Sequence, residues 1–257
     1  MTTDSVNSVS SRLNTLVQEK QFYWWLGHIY IVLNSVFYFS SVLSFHANPV
    51  YYKRAYMGAL LSYAIVIYNS IRANKEAFDI HILCDENVHY FVIAFYWYSA
   101  PPIAVTLIPF VIFSIFHMLT YTRTNIIPLF IPKKKDTQGL FIEKIDHQIK
   151  LFTERQHNTA IKLAAYIEII VISLRLVLGI FMFSTSILSI IVFIHFLRLR
   201  YYLSNESREA MHQISYHMDQ WLLMPKEKRS TTQAAVANIY FNIKRFMIRY
   251  GGVHTKK

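Results

Sequence analysis

Between Val88 and Thr120 the chain carries no Asp, Glu, Lys or Arg, and in the middle of that run stands "YWYSAPPIAV", with Pro101 followed directly by Pro102. As one straight helix the run would be about 50 Å long at about 1.5 Å per residue, against a hydrocarbon core about 30 Å thick. Neither proline can donate an amide hydrogen, and each disfavours helical dihedrals in the residue before it. The run is too long for one upright span and is broken near its centre. That predicts a bent pair of intramembrane helices.

The composition agrees with a membrane protein. Hydrophobic residues make up 54% of the 257 and aromatics 16%, with a mean hydropathy of +0.27. Uncharged runs longer than about 18 residues mark spanning helices. The N-terminus, "MTTDSVNSVSSRLNTLVQEK", lacks a basic start followed by a short apolar core and a small-residue cleavage site. No removable signal peptide is therefore expected, and the first apolar segment should stay as an anchor. The single cysteine, Cys84, excludes an intrachain disulfide and a Cys-based zinc cluster. With 6 glycines and neither G-x-G-x-x-G nor a Walker-type motif, no phosphate-binding loop is present. The net charge is +11, but the basic residues sit in segments flanking the apolar runs. There they set topology and touch anionic lipid rather than nucleic acid.

Residues 1–21 form a polar, partly amphipathic segment, with Val9, Leu13, Leu16 and Val17 at helical spacing. The membrane domain follows over 22–200. Its first span is 22–45, with Trp24 and Trp25 as interfacial anchors. Segment 55–71 is barely long enough to span, and Tyr56, Ser62, Tyr63 and Tyr68 make it more polar than lipid requires. After the broken run (88–119), residues 121–162 hold 8 Lys plus Arg against 4 acids. Phe141, Ile145, Ile149 and Phe152 predict an amphipathic helix on the membrane face there. The second long run, 163–197, would be about 52 Å as one helix, with Gly179 and Ser184–Ser186 as a softer break. Residues 201–257 are again basic and amphipathic. If both basic segments face the cytosol, each long run must leave on the side it entered. The expected architecture is all-α: two transmembrane helices, two bent intramembrane hairpins and amphipathic surface helices.

Candidate chemistry is sparse. In "DENVHY" (85–90), Asp85 and His89 share a helical face, as metal ligands or an acid–base pair would, but Asp85 also suits a helix N-cap. A hairpin would bring His117 towards His89, where a polar contact between the arms is the simpler outcome. Glu168 and Arg175 are the charges inside the second run. They lie two helical turns apart and should pair, as polar glue between helices or, alternatively, as part of an ion path. No Ser–His–Asp set, catalytic carboxylate pair or nucleophile elbow occurs, so no catalytic, cofactor or metal residues are assigned.

The clearest amphipathic signal is in the tail, "AAVANIYFNIKRFMIRYGG". Val236, Ile239, Tyr240, Ile243, Phe246, Met247 and Tyr250 fall within about 120° at 100° per residue, and Lys244, Arg245 and Arg249 lie outside that arc. This is a membrane-binding pattern for an anionic surface, with a partner helix as the alternative. Upstream, Met211, Ile214, Met218, Trp221 and Leu222 form a similar stripe, for which packing on the protein's own helices serves equally well.

Four stretches, "YYKRAYMGALLSYAI" (51–65), "DENVHYFVIAF" (85–95), "PFVIFSIFHMLTYTR" (109–123) and "FLRLRYYLSNESR" (196–208), together resemble the transmembrane protein 33 family, in its fungal pore-membrane and tetra-spanning branch. The most recognisable positions are His89, His117, Thr120, Tyr121, Arg200 and Tyr201. The resemblance implies a non-enzymatic protein of the endoplasmic reticulum and nuclear envelope. As partners it implies reticulon-type membrane-bending proteins and nuclear pore components; membrane lipids are the partner expected of the basic segments, and no cofactor, nucleic acid or small-molecule substrate is expected. Combined with the hairpins, it points to shaping or sensing of curved membrane. A lipid- or ion-handling transporter using Glu168, Arg175 and the histidines is the alternative.

Overall fold

The computed structural model describes residues 3–73, 84–130, 137–222, 237–238 and 241–242. Among these, regular structure is entirely helical. Helix α1 (Thr3–Gln18) leads into α2 (Lys20–Leu43), which turns through 44–48 into α3 (Pro49–Ala73). α2 and α3 pack along their length because small residues face each other at the crossing. A Cβ on Gly58 would stand 2.8 Å from the Gly27 carbonyl oxygen and 3.1 Å from Ile31 Cγ1. Near the same crossing the Ser62 hydroxyl donates to the Trp24 carbonyl at 3.1 Å. The tyrosines of α3 explain its polarity: Tyr52, Tyr56 and Tyr63 are buried, whereas Tyr68 is exposed.

α4 (Glu86–Ser99) stops at the prolines as expected. A short 3₁₀ turn (Ala104–Thr106) then opens α5 (Leu107–Tyr121), which continues through a π-helical turn (Thr122–Ile126) into α6 (Ile127–Phe130). Thr106 anchors this corner. Its hydroxyl donates to the Ile103 carbonyl at 2.8 Å, so it accepts from both Tyr52 and Tyr56, each at 2.8 Å. Tyr90 of α4 packs on Phe113 of α5, and these two are equally far in sequence from the Pro101–Pro102 pair. The run folds back on itself.

The second run differs from expectation at its start. α7 (Thr137–Tyr166) passes through a π-helical turn (Ile167–Ile172) directly into α8 (Ser173–Phe181). The basic segment's helix and the first arm of the run are thus one long helix, with no surface helix set apart. Phe152 of its apolar stripe stacks on Phe116 of α5 at 5.6 Å, so that part of the stripe packs on protein. Phe141, by contrast, is exposed. The chain reverses at 182–186, with Ser186 capping α9 (Ile187–Leu203) by accepting the Leu188 amide at 3.2 Å. A bend of 109° then leads into α10 (Asn205–Leu222). α10 lies on α7, where Lys162 meets Glu209 at 3.3 Å and the Tyr166 hydroxyl donates to Gln213. Of its predicted stripe, Met211, Ile214 and Met218 are half-buried.

Three turns gather at one end of the bundle. Pro49, Val50 and Lys53 share a groove with Ser99–Pro102, and Tyr96 bonds Ser189 at 2.8 Å just beyond the 182–186 turn. The opposite, open end collects α1 against α6, the α7–α10 contact and Trp25 against Met118 and Thr122. Three helices, Lys20–Leu43, Ala104–Leu129 and Phe141–Phe181, are long and apolar enough to cross a membrane, and the bent pair α9–α10 makes a fourth candidate.

Candidate functional site

The two folded-back segments meet in a buried polar junction. α4 begins at Asp85, whose carboxylate accepts the Asn87 amide at 2.8 Å. That is the capping alternative for this residue, and it sets Glu86 in the first turn, where the helix dipole favours an anion. One turn on, Tyr90 points inward and its hydroxyl donates to Glu168 Oε1 at 2.8 Å. Arg200, near the end of α9, donates through Nη1 to Glu86 Oε2. Its Nε faces Glu168 Oε2 at 3.6 Å, an ion pair too long for a hydrogen bond. The guanidinium also lies 5.0 Å from the centre of the Tyr90 ring, on which Tyr63 stacks at 5.7 Å. Glu168 and Arg200 are 2% and 3% exposed, so water contributes almost nothing to their solvation. The Glu86 side chain, at 43%, remains half in solvent.

This corrects the expected Glu168–Arg175 pair. The π-helical turn at 167–172 adds a residue to the helical repeat, which moves Arg175 round the axis from Glu168. Arg175 reaches instead to Thr185 Oγ1, at 3.5 Å, in the 182–186 turn. The true partner, Arg200, lies just past the apolar run, at the same sequence distance from Ser184 as Glu168. Sequence reasoning missed it because Arg200 lies outside the apolar run 163–197, within which a partner for Glu168 was sought. The space beside Glu168, enclosed by Tyr90, Trp97, Thr106 and Phe193 among others, is about 10 Å³, room for one water at most.

A second contact joins α2 to α5. His28 is buried and its Nδ1 lies 3.0 Å from Ser114 Oγ. His117 meets His28 at 4.8 Å and Trp24 at 5.1 Å between ring centres, the latter in a T-shaped contact; His89 is buried on α4. Trp25 stacks on Tyr121 at 5.6 Å and donates to Thr122 Oγ1 at 3.1 Å. Both tryptophans therefore make specific helix–helix contacts beyond an anchoring role. No group of three or more His, Cys, Asp or Glu able to hold a metal ion occurs among the described residues. The tail residues Val236, Ile239, Tyr240, Ile243, Lys244, Arg245, Phe246, Met247, Arg249 and Tyr250 lie outside the described residues.

The family model described as transmembrane protein 33/nucleoporin POM33 matches residues 4–251. The chain belongs to this family. Tetra-spanning protein 1 of Schizosaccharomyces pombe is 27% identical over 255 residues, 96% of this chain and 89% of that protein. The pore membrane protein of 33 kDa of Saccharomyces cerevisiae is 26% identical, over 82% of this chain and 78% of that protein. Nucleoporin POM33 of Chaetomium thermophilum is 28% identical, over 75% and 74%. No solved structure matches. In this transmembrane protein 33/nucleoporin POM33 chain, the stretches 85–95 and 196–208 that carried the resemblance are those that supply Glu86, Tyr90 and Arg200 to the junction.

Proposed function

We propose that this chain is a non-enzymatic, multi-pass protein of the endoplasmic reticulum membrane and nuclear envelope that shapes or senses curved membrane and supports the distribution or assembly of nuclear pore complexes. Relatives named as a pore membrane protein, a nucleoporin and a pore and endoplasmic reticulum protein support the location. Reticulon-type proteins and anionic lipid are the partners this reading expects.

The observation that supports the curvature role is the unequal distribution of helices between the two ends. α1, α6, the polar first half of α7 and α10 all gather at the open end, while the other end holds three turns, 44–48, 100–103 and 182–186. The turns themselves contain no Lys or Arg and have Lys53, Arg54 and Arg175 within two helical turns of them, whereas the open end carries the larger set Arg12, Lys20, Arg123, Lys162 and Arg208. By the bias of basic residues towards the cytosol, the open end is cytosolic. α4, at about 21 Å, falls short of the roughly 30 Å needed to cross. Two hairpins narrowing away from the cytosol add more cross-section to the cytosolic leaflet than to the luminal one, which favours a membrane bent towards the cytosol. The tail, with Ile243 and Phe246 on its apolar face, adds a further amphipathic element at that surface.

Tags placed within residues 124–138 and at the C-terminus should both be reached from the cytosol in cells whose plasma membrane alone is permeabilised. A luminal tag at 124–138 would sink this topology and restore four simple spans, which have no wedge.

A further inference from the structure

Helices α2 and α8 end in the same unusual way. In the first, the Phe45 amide donates to Val42 O at 3.0 Å and the His46 amide to Ser41 O at 3.0 Å. In the second, the Phe183 amide donates to Ile180 O at 2.9 Å and the Ser184 amide to Gly179 O at 2.8 Å. Both are Schellman caps, whose left-handed residue is usually glycine because it has no Cβ to clash. Here both hold phenylalanine, at φ 58° and 53°, a conformation foreign to a bulky side chain. Both rings are also almost fully free of protein contact, 95% and 98% exposed. In water, glycine or asparagine would be less strained and more soluble at either cap. Two unpacked phenylalanine rings at turns on the same end of the bundle fit apolar surroundings better than water.

The nearest charges fit the edge of such surroundings. The Arg175 guanidinium extends along α8 to Thr185, at the level of the Phe183 turn. Lys53, one turn into α3, is exposed beside the Pro101–Pro102 corner. Long cationic side chains placed one or two turns inward of a helix end reach out to the headgroups while their stems stay in apolar contact.

We propose that Phe45 and Phe183 are paired membrane anchors that seat the turn end at the boundary between acyl chains and headgroups, with Arg175 and Lys53 binding phospholipid phosphates. That the leaflet is the luminal one rests on the topology proposed above. Arg175, which has no carboxylate partner among the described residues, thereby acquires a role.

The test uses the full chain with Cys84→Ser, in phosphatidylcholine vesicles containing phosphatidylserine. Nitroxides are attached through Phe45→Cys or Phe183→Cys, and collision with oxygen is compared with collision with a water-soluble nickel complex. His147→Cys, exposed on the polar half of α7, and Leu33→Cys, exposed in the middle of α2, give the water and hydrocarbon references. The oxygen-to-nickel ratio at both tips should be several-fold above position 147 and below position 33. A ratio equal to that at 147 puts the tips in water and overturns the anchor; one equal to that at 33 overturns the boundary placement. Labels at Leu43→Cys and Met182→Cys, on the preceding helical turns, give the same reading if a cap variant does not fold. In microsomes, an impermeant maleimide that fails to reach a cysteine at 124–138 would overturn the leaflet assignment while leaving the tip depth as measured.

Discussion

Replacing Arg200 with Met would remove the cation that two carboxylates share. Glu168, 2% exposed and surrounded by Tyr90, Trp97, Phe193 and Phe196, would keep one donor, the Tyr90 hydroxyl, and no counter-charge. Removing one partner of a buried ion pair costs about 3–5 kcal/mol. The half-exposed Glu86 adds little, since a pair open to solvent contributes about 1 kcal/mol or less. The loss expected for Arg200→Met is therefore about 3–5 kcal/mol, nearly all from Glu168. Glu168→Gln alone should cost less, because Arg200 retains Glu86 and the Tyr90 ring, and the amide oxygen still accepts from Tyr90. The double replacement leaves no buried charge, so its cost should fall well short of the sum of the two singles. The coupling energy between 168 and 200 should be about 1–3 kcal/mol, against less than about 0.5 kcal/mol between 168 and 175, which have no shared partner. The assay is reversible denaturant unfolding of the four members of each cycle in detergent micelles. Equal coupling in the two cycles, or an Arg200→Met variant as stable as the parent, would refute the junction as described.

Gly58→Ala should lose about 1–3 kcal/mol in the same assay, because the added methyl meets the Gly27 carbonyl and backbone must move; unchanged stability would remove the close crossing from the account. Thr106→Val removes the hydroxyl that Tyr52 and Tyr56 share, leaving Tyr52 the Ile103 carbonyl and the two phenols each other, and should cost about 1–3 kcal/mol, with Thr106→Ser restoring most of it. A peptide of residues 233–250 should be disordered in water and helical on anionic vesicles, where Lys244, Arg245 and Arg249 each contribute about 1 kcal/mol. Binding should be stronger on small vesicles and absent once Ile243→Asp and Phe246→Asp are combined. Disorder on every anionic vesicle would leave a protein partner as the reading of this segment.

What the sequence revealed about this fold came from backbone chemistry that acts locally. Two adjacent residues without amide hydrogens must interrupt a helix when they fall in its interior, so the corner at Pro101–Pro102 was legible to the residue. So was the cap at Asp85, whose preference is set within three residues of its own position. The side-chain partners were not, because a single inserted residue changes them. The π-helical turn at 167–172 leaves no mark in the pattern of apolar residues, yet it decides whether Glu168 faces along its own helix or across to α9. Trp24 and Trp25 show a different failure: their type predicts a membrane interface, while the contacts with His28, His117 and Tyr121 depend on where α5 returns.

The missing step is itself a matter of sequence, once the corners are known. A chain that reverses at a fixed point brings together residues at equal distances on either side of it. Reversal at the prolines pairs Tyr90 with Phe113, and reversal at Ser184 pairs Glu168 with Arg200, as observed. The first pair could have been anticipated from Pro101 and Pro102. The second was harder to place, because Gly179 and Ser184–Ser186 mark only a soft break over several residues, and the cap holds Phe183 where glycine would have announced the end of the helix. The same residue thus blurs the position of the second reversal in the sequence and, in the structure, stands exposed at its turn.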